Sequence, residues 1–273
     1  MTRYKLTIEY DGRGFVGWQR QDNGPSIQGA LEEAVFKFCG EHRTVQGAGR
    51  TDAGVHALGQ VAHVDIDRSS RPDVVRDAVN YHLRPAPIAV VASEAVPGSF
   101  NARTSALQRR YLYRVVNRRA PLVTDLGRAW RVQGTLDLDS MRIAAAALIG
   151  HHDFTSFRAA QCQANSPLRT VDAVRILADD TDPPGPFAAA RAGDEIIVEV
   201  KARSFLQNQV RIIVGTLIEI AQGKRDPGSV AHALAARDRS TAGQTAPADG
   251  LYFADVIYPA PNQAPGQASG PAT

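Results

Sequence analysis

The chain has 273 residues, of which 44% are hydrophobic, and its 31 Lys and Arg residues against 28 Asp and Glu residues give a net charge of +3. The size allows one large or two modest domains, and the hydrophobic content excludes a chain that is disordered throughout. So small a net charge excludes a general polyanion binder, and any nucleic-acid surface must be a local patch.

The first half of the sequence predicts the order β-α-β-β-α-β. Apolar and polar residues alternate over 4–10, which predicts a strand, and apolar residues then recur at helical spacing between Ser26 and Gly40. The further predicted elements are strands over 45–49 and 61–66, a helix that opens at 70–73, and a strand over 88–92.

The second half repeats this order, which implies a duplicated ferredoxin-like unit. Its predicted elements are a strand over 110–116, a helix over 139–148 that Gly150 stops, strands over 171–177 and 195–201, a helix over 205–222 and a strand over 251–258. The fold class is therefore α/β of the α+β type, with two pseudo-symmetric halves whose largely antiparallel sheets could join edge to edge around a central cleft.

Composition divides the chain further. We place the domain boundary near Ser105, so that residues 1–105 form the first half and residues 106–258 the second. The stretch 179–194 is rich in Pro, Gly, Asp and Ala and predicts a mobile insertion. The stretch 259–273 has the composition of a tail without fixed structure.

The two cysteines, Cys39 and Cys162, are too few for a disulfide scaffold and lack metal-ligand spacing. Such usage fits a reducing compartment. The N-terminal residues enter a strand pattern without an apolar signal core, and no apolar run approaches membrane-spanning length. We expect a soluble, cytoplasmic protein that has no contact with a membrane.

The sequence predicts no cofactor. Gly-Ala-Gly at 47–49 lacks the third glycine of a dinucleotide loop, no phosphate-binding Gly-Lys-Ser/Thr occurs, and the histidines lack zincin spacing. Asp52, Asp65 and Asp67 could gather a metal ion together with His63, as in a metal-dependent nuclease or phosphotransferase. Because Asp65 and Asp67 stand at the end of a predicted strand, solvent exposure is the simpler interpretation, and we expect no metal.

The segment Gly49-Arg50-Thr51-Asp52-Ala53-Gly54-Val55-His56-Ala57 places a carboxylate beside a guanidinium in a turn bracketed by glycines. Loops fixed by strands often carry reactive groups, and glycine permits close approaches that a Cβ forbids. A carboxylate that bonds its own backbone is also ordinary turn chemistry. On that interpretation the protein would be a non-catalytic RNA-binding module in which Asp52 caps the turn.

This segment resembles the catalytic signature of the tRNA pseudouridine synthase A family. Six further stretches resemble that family in the same order: 4–12, 17–21, 26–28, the tyrosine motif at 109–113, the central segment at 152–158 and the last long helix at 210–217. The sequence departs from the family pattern at 207–209, where Gln-Asn-Gln replaces a histidine pair and a methionine, and at Arg84, an additional residue.

The resemblance implies an isomerase that converts uridine to pseudouridine at positions 38, 39 and 40 of the tRNA anticodon stem-loop, and a homodimer that shares the tRNA. It makes Asp52 the nucleophile and Arg211 the arginine that pairs with it. Carboxylates attack anomeric carbons in retaining glycosidases. Two routes stay open for Asp52, attack at the ribose carbon, with a glycal as a possible intermediate, and addition to the uracil ring.

The resemblance also makes Tyr111 the ring that stacks on the target base, while Arg50 fills the space that the extruded uridine leaves. The phenol of Tyr111 could take the proton that the uracil carbon loses, although its ordinary pKa near 10 makes it a weak candidate. By pattern alone Tyr111 could be core and Arg211 could lie on a solvated helix face. We also expect RNA contacts from Arg109, Arg110 and Arg158, for which a solvated surface is the alternative.

Overall fold

A computed structural model describes residues 1–178 and 194–260. The insertion expected over 179–194 lies outside the described residues except for Asp194. The expected tail lies outside them from residue 261 onward.

The first half has the predicted order of elements. The Ser26 hydroxyl accepts a hydrogen bond from the Gly29 N–H at 3.1 Å and caps the first helix, which Gly40 ends in the left-handed conformation at φ +77°. Both residues were the predicted ends. The elements are β1 (Thr2–Tyr10), α1 (Ile27–Cys39), β2 (Gln46–Gly47), β3 (His56–Ile66), α2 (Pro72–Leu83) and β4 (Ile88–Val96).

The second half contains the predicted strands and helices, with three additions that the patterns did not indicate: two short strands, at Trp130–Val132 and Gly150–Asp153, and a helix at Ser229–Ala236. The strands have too few residues for a period to be visible, and the exposed residues of the helix are mostly alanine. The elements are β5 (Gln108–Asn117), β6 (Trp130–Val132), α3 (Leu138–Ala146), β7 (Gly150–Asp153), β8 (Leu168–Ala178), β9 (Glu195–Ala202), α4 (Gln209–Ala221), α5 (Ser229–Ala236) and β10 (Leu251–Ile257).

The start of α4 differs from the prediction. The apolar pattern extends back to Phe205, but Asn208 has a φ of +60°, in the left-handed region, and the helix begins only at Gln209. A left-handed residue interrupts right-handed helix geometry, so residues 205–208 form a loop in front of the helix.

The strands form one ten-stranded sheet in the order β4-β1-β3-β10-β5-β9-β8-β7, with β2 on β3 and β6 on β5. The set β10-β5-β9-β8 repeats the order β4-β1-β3-β2 of the first half, as a duplicated unit predicts. The halves meet where β10 runs parallel to β3, with Tyr252 opposite His56 and Phe253 opposite Ala57. The fold class is confirmed, and the boundary near Ser105 stays a prediction.

Side chains alternate between the two faces of the sheet along β5. Tyr111 and Tyr113 belong to the main core, together with Ile213 of α4. Leu112 packs on the opposite face against Ile197. Residues on the Tyr111 face of the sheet therefore pack beneath the helices. The loop between β2 and β3 lies on the same side. Across residues 1–178 and 194–260, every helix is too short or too polar to cross a membrane.

Candidate active site

The loop that carries Asp52 is fixed by the chain segment that follows β1. The Trp18 N–H donates to the Thr51 carbonyl at 3.0 Å, and the Val55 N–H donates to the Asp52 carbonyl at 3.2 Å. Gly17 has a φ of +113°, and a Cβ there would lie 2.5 Å from the Thr51 carbonyl oxygen. Only glycine fits at this crossing, so the backbone around Asp52 is held in one position.

Two buried polar side chains hold the loop from the strand side. The hydroxyls of Tyr10 and Thr51 share a hydrogen bond of 2.8 Å, and the Gln60 side-chain amide donates to the Gly49 carbonyl at 2.8 Å. Burial raises the pKa of Tyr10 to about 12, so that the phenol stays protonated. No local sequence pattern around Tyr10 or Gln60 indicates a role in the site.

The Asp52 carboxylate is partly accessible to solvent. Its side chain is 34% exposed, and it accepts no hydrogen bond from the residues that the structure describes. The nearest cation is Arg211, whose Nη1 lies 3.9 Å from Oδ2 of Asp52. Burial raises the pKa of Asp52, and the positive charge of Arg211 opposes that rise. The result is a partly desolvated carboxylate whose lone pairs are free for a substrate.

Arg211 is held in place by two acceptors other than Asp52. Its Nε donates to the Ala246 carbonyl at 2.7 Å, and its Nη1 donates to Oδ1 of Asn208 at 3.0 Å. The side chain is 18% exposed. The interpretation of Arg211 as part of a solvated helix face is wrong, because that face of α4 packs against the chain around Ala246.

Asn208 explains how the departure from the family pattern at 207–209 fits the site. Asparagine tolerates the left-handed backbone better than most residues, which suits a φ of +60°. In that conformation its amide oxygen lies at the first turn of α4 and accepts from Arg211. The departure therefore contributes a residue that orients the arginine.

The surroundings of Tyr111 fit both interpretations of the sequence, a core residue and an aromatic ring close to Asp52. The ring is 8% exposed and meets Phe205 and Phe253 edge to face, with centroid distances of 5.1 and 4.8 Å. Burial raises the pKa of the Tyr111 phenol, the negative charge of Asp52 raises it further, and the positive charge of Arg109 opposes this rise. A phenol so hard to ionise is disfavoured as a base, whereas its ring is rigidly placed near Asp52.

The four remaining arginines fall into two groups. Arg50 is exposed and forms no ion pair within the described part of the chain. Arg158 is half-buried, and the next residue donates its N–H to the Gln207 carbonyl at 3.0 Å, close to the start of α4. The RNA contacts expected of Arg50 and Arg158 stay predictions.

The positions of Arg109 and Arg110 do not support the expected RNA contacts. Arg109 is buried and donates to backbone carbonyls. Arg110 lies on the opposite face of the sheet from Tyr111, where it forms ion pairs with Glu199 at 3.4 Å and with Asp255.

The aspartates of the metal hypothesis are not gathered. Both oxygens of Asp65 accept from Arg3, at 2.7 and 2.6 Å, and Asp67 pairs with Arg43. Among residues 1–178 and 194–260 no three His, Cys, Asp or Glu side chains lie close enough together to hold a metal ion.

Comparison with known proteins agrees with this geometry. The family model described as tRNA pseudouridine synthase matches residues 6–103 and 144–259. A tRNA pseudouridine synthase A of Parvibaculum lavamentivorans is 55% identical over 94% of this chain and 100% of its own length. A protein of the same description from Afipia carboxidovorans is 53% identical over 94% of this chain and 100% of its own length. Another, from Paramagnetospirillum magneticum, is 52% identical over 99% of each chain.

Proposed function

Since the chain belongs to the tRNA pseudouridine synthase family and is thus an isomerase that acts on tRNA, we propose that it converts uridine to pseudouridine at positions 38, 39 and 40 of the anticodon stem-loop. The reaction breaks the bond from the uracil nitrogen to the ribose and forms a bond from a uracil carbon to the same ribose carbon. It is redox-neutral, and every atom of the product comes from the substrate except for exchanged protons.

The nucleophile in this proposal is Asp52. One observation carries it: the carboxylate is accessible, accepts no hydrogen bond within the described chain, and lies 3.9 Å from a cation fixed by other partners. An ionised carboxylate in that state can attack the ribose carbon and leave a covalent intermediate, or it can add to the uracil ring. In both routes Arg211 favours the ionised form.

Tyr111 and Arg50 handle the base in this proposal. Extrusion of a base from its stack costs a few kcal/mol, and the cost is smallest in loops and at stem ends. The ring of Tyr111, held by Phe205 and Phe253, offers a face for the extruded uracil. The exposed Arg50, two residues before the nucleophile, replaces the base within the RNA.

We also propose that the protein is a cytoplasmic homodimer. The large apolar side chains that the second half exposes include Ile143, Ile149 and Leu168, which a partner copy could cover. Sedimentation equilibrium should give twice the chain mass, and a triple substitution of these residues by serine should give the monomer. Fractionation of cells that express a tagged chain tests the location.

The test of the function is position-resolved pseudouridine mapping. Transcribed tRNA without modifications is incubated with the protein in EDTA, and pseudouridine should form at positions 38 to 40 and at no uridine outside the anticodon stem-loop. Asp67→Asn is the matched control, because Asp67 is exposed and belongs only to the metal hypothesis. Loss of product in EDTA, or in the Asp67 variant, would contradict the proposal, and so would product at other positions.

A further inference from the structure

Arg109 is a buried cation that pairs with no carboxylate in the described part of the chain. It is 8% exposed, and its guanidinium donates only to backbone carbonyls. Those carbonyls belong to Ala48, at 3.1 and 2.7 Å, to Arg103, at 2.6 Å, and to Arg203. A buried charge usually has an opposite charge beside it, so this arrangement requires an explanation.

The three carbonyls come from three segments that meet at the site. Ala48 lies in the chain that leads to Asp52, and Arg103 lies where the first half connects to β5. Arg203 begins the loop that carries Phe205, which contacts the Tyr111 ring. A single guanidinium therefore fixes the backbone of all three segments relative to one another.

Two of these segments present an arginine to solvent. Arg103 and Arg203 are exposed, and neither forms an ion pair within residues 1–178 and 194–260. Their backbone carbonyls both accept from the Arg109 guanidinium, so the two residues are joined through one buried cation. Burial lowers the pKa of Arg109, and the positive charges of Arg103 and Arg203 lower it further. Two exposed arginines without a carboxylate partner in the described chain are thus anchored by a third arginine.

Several surface arginines elsewhere have carboxylate partners that would compete with a phosphate, whereas Arg103 and Arg203 form no ion pair in the described chain. The partners are Asp11 for Arg13, Asp73 for Arg71, Asp77 for Arg76 and Asp139 for Arg142. Unpaired like charges repel each other until an anion binds, and the planar fork of arginine matches two oxygens of a phosphate.

We propose that Arg103 and Arg203 form a phosphate-binding pair, which we call the arginine rim, and that Arg109 is the positioning residue that ties it to the segment leading from Ala48 to Asp52. The ligand of the rim is the phosphodiester backbone of the RNA next to the target uridine. The inference rests on the proposed function, because it assumes that the substrate enters the site as RNA.

The first test measures the salt dependence of RNA binding. Arg103→Gln and Arg203→Gln are combined with Asp52→Asn, which prevents turnover, and bind a labelled anticodon stem-loop RNA at several salt concentrations. Each phosphate contact contributes about 0.7 to 0.9 to the slope of log affinity against log salt. Each variant should lower that slope by roughly this amount and weaken binding several-fold at low salt.

Arg76→Gln is the matched control, since it removes the same charge from an exposed arginine on α2 that pairs with Asp77. Slopes for the two rim variants equal to that of the control would overturn the rim. In parallel, wild-type protein is assayed for pseudouridine: its absence would contradict the proposed function, whereas the slopes decide the rim separately.

A second test separates positioning by Arg109 from a merely structural role. Arg109→Lys keeps the charge but cannot reach three carbonyls at once. If Arg109 positions the rim, Arg109→Lys alone should lower the slope of log affinity against log salt. Added to a variant that carries both Arg103→Gln and Arg203→Gln, it should lower that slope no further. A lower unfolding temperature with an unchanged slope would assign Arg109 to stability alone. Should this variant fail to fold, the exposed rim residues still decide the existence of the rim.

Discussion

Nη1 of Arg211 lies 3.9 Å from Oδ2 of Asp52, and the same nitrogen donates a hydrogen bond to Asn208 rather than to the carboxylate. The ion pair joins a loop of the first half to a helix of the second. Because Arg211 is anchored elsewhere, its charge acts on Asp52 without occupying the carboxylate oxygens. Arg211 thus partly offsets the rise in pKa that burial imposes on Asp52 and leaves the carboxylate oxygens free to react.

Asp52→Asn should abolish product and leave tRNA affinity within a few-fold. The change removes a nucleophile at nearly constant shape, and rate losses of about 10⁴-fold or more accompany the loss of such groups. Single-turnover assays and equilibrium binding measure the two effects. Product above trace level from a rigorously purified variant would contradict the assignment.

The same variant makes a prediction about stability. Burial raises the pKa of Asp52 in the folded chain, so the folded state binds its proton more tightly than the unfolded state does. The stability of the wild-type protein therefore falls as pH rises from the unfolded pKa through the folded pKa, and it stays lower above that interval. Asparagine does not titrate. At pH 7 the unfolding temperature of Asp52→Asn should equal or exceed that of the wild type, and a clear decrease would argue against a destabilising carboxylate.

Arg211→Met should impair the chemical step more than RNA binding, by about 10²-fold, the scale for removal of one electrostatic stabiliser. The charge of Arg211 lowers the pKa of Asp52, so its removal raises that pKa and shifts the acidic limb of the rate profile to higher pH. The profile of single-turnover rate against pH provides the measurement. A wild-type profile at a near-normal rate would remove Arg211 from the mechanism.

Substitution of Asn208 tests how Arg211 is oriented. Asn208→Gly keeps the left-handed backbone accessible and deletes the carboxamide side chain, whose oxygen accepts from Arg211. We expect a reduced chemical rate with little loss of stability. Asn208→Ala deletes the same oxygen and adds left-handed strain, at a cost of about 1 kcal/mol in the free energy of unfolding. Equal rates for wild type and the glycine variant would show that Ala246 alone suffices to hold the arginine.

Tyr111→Phe keeps the ring and removes the hydroxyl, whereas Tyr111→Leu removes the aromatic face. If the ring stacks on the extruded base, Phe should bind tRNA as the wild type does, and Leu should lose about 1–3 kcal/mol of binding free energy. Leucine also leaves space between Phe205 and Phe253, so unfolding temperatures are measured alongside. Equal affinities of the two variants would contradict stacking, and normal binding by Phe without turnover would place the hydroxyl in the proton transfer.

Local chemistry made much of the fold predictable. Ser26 and Gly40 are cap residues whose identity alone marks the ends of α1, and the alternation along β5 placed Tyr111 and Arg110 on opposite faces. The apolar period could not reveal where α4 begins. That boundary depends on the backbone conformation of Asn208, which is stabilised by contacts made only in the folded chain.

The candidate site was predictable where a residue was distinctive in itself, and less so where contacts are distant in sequence. Asp52 could be singled out by its glycine-bracketed turn only together with the family resemblance of residues 49–57, because the turn alone also fits a cap. The hydrogen bonds that bury Arg109 could not be predicted, because no local pattern brings together the carbonyls of Ala48, Arg103 and Arg203. Tyr10 and Gln60 support the loop in the same nonlocal way.

Arg50→Ala tests whether this arginine replaces the extruded base or simply contacts a phosphate beside the arginine rim. If it replaces the base, the loss should be greatest with an intact stem-loop, where unstacking costs most, and smaller with an RNA whose target uridine is already unpaired and flexible. A phosphate contact predicts a uniform loss for both RNAs and a decrease of roughly one in the slope of log affinity against log salt. Single-turnover rates and salt slopes for the two RNAs distinguish these outcomes. A uniform loss of rate together with a reduced slope would assign Arg50 to a phosphate contact and not to base replacement.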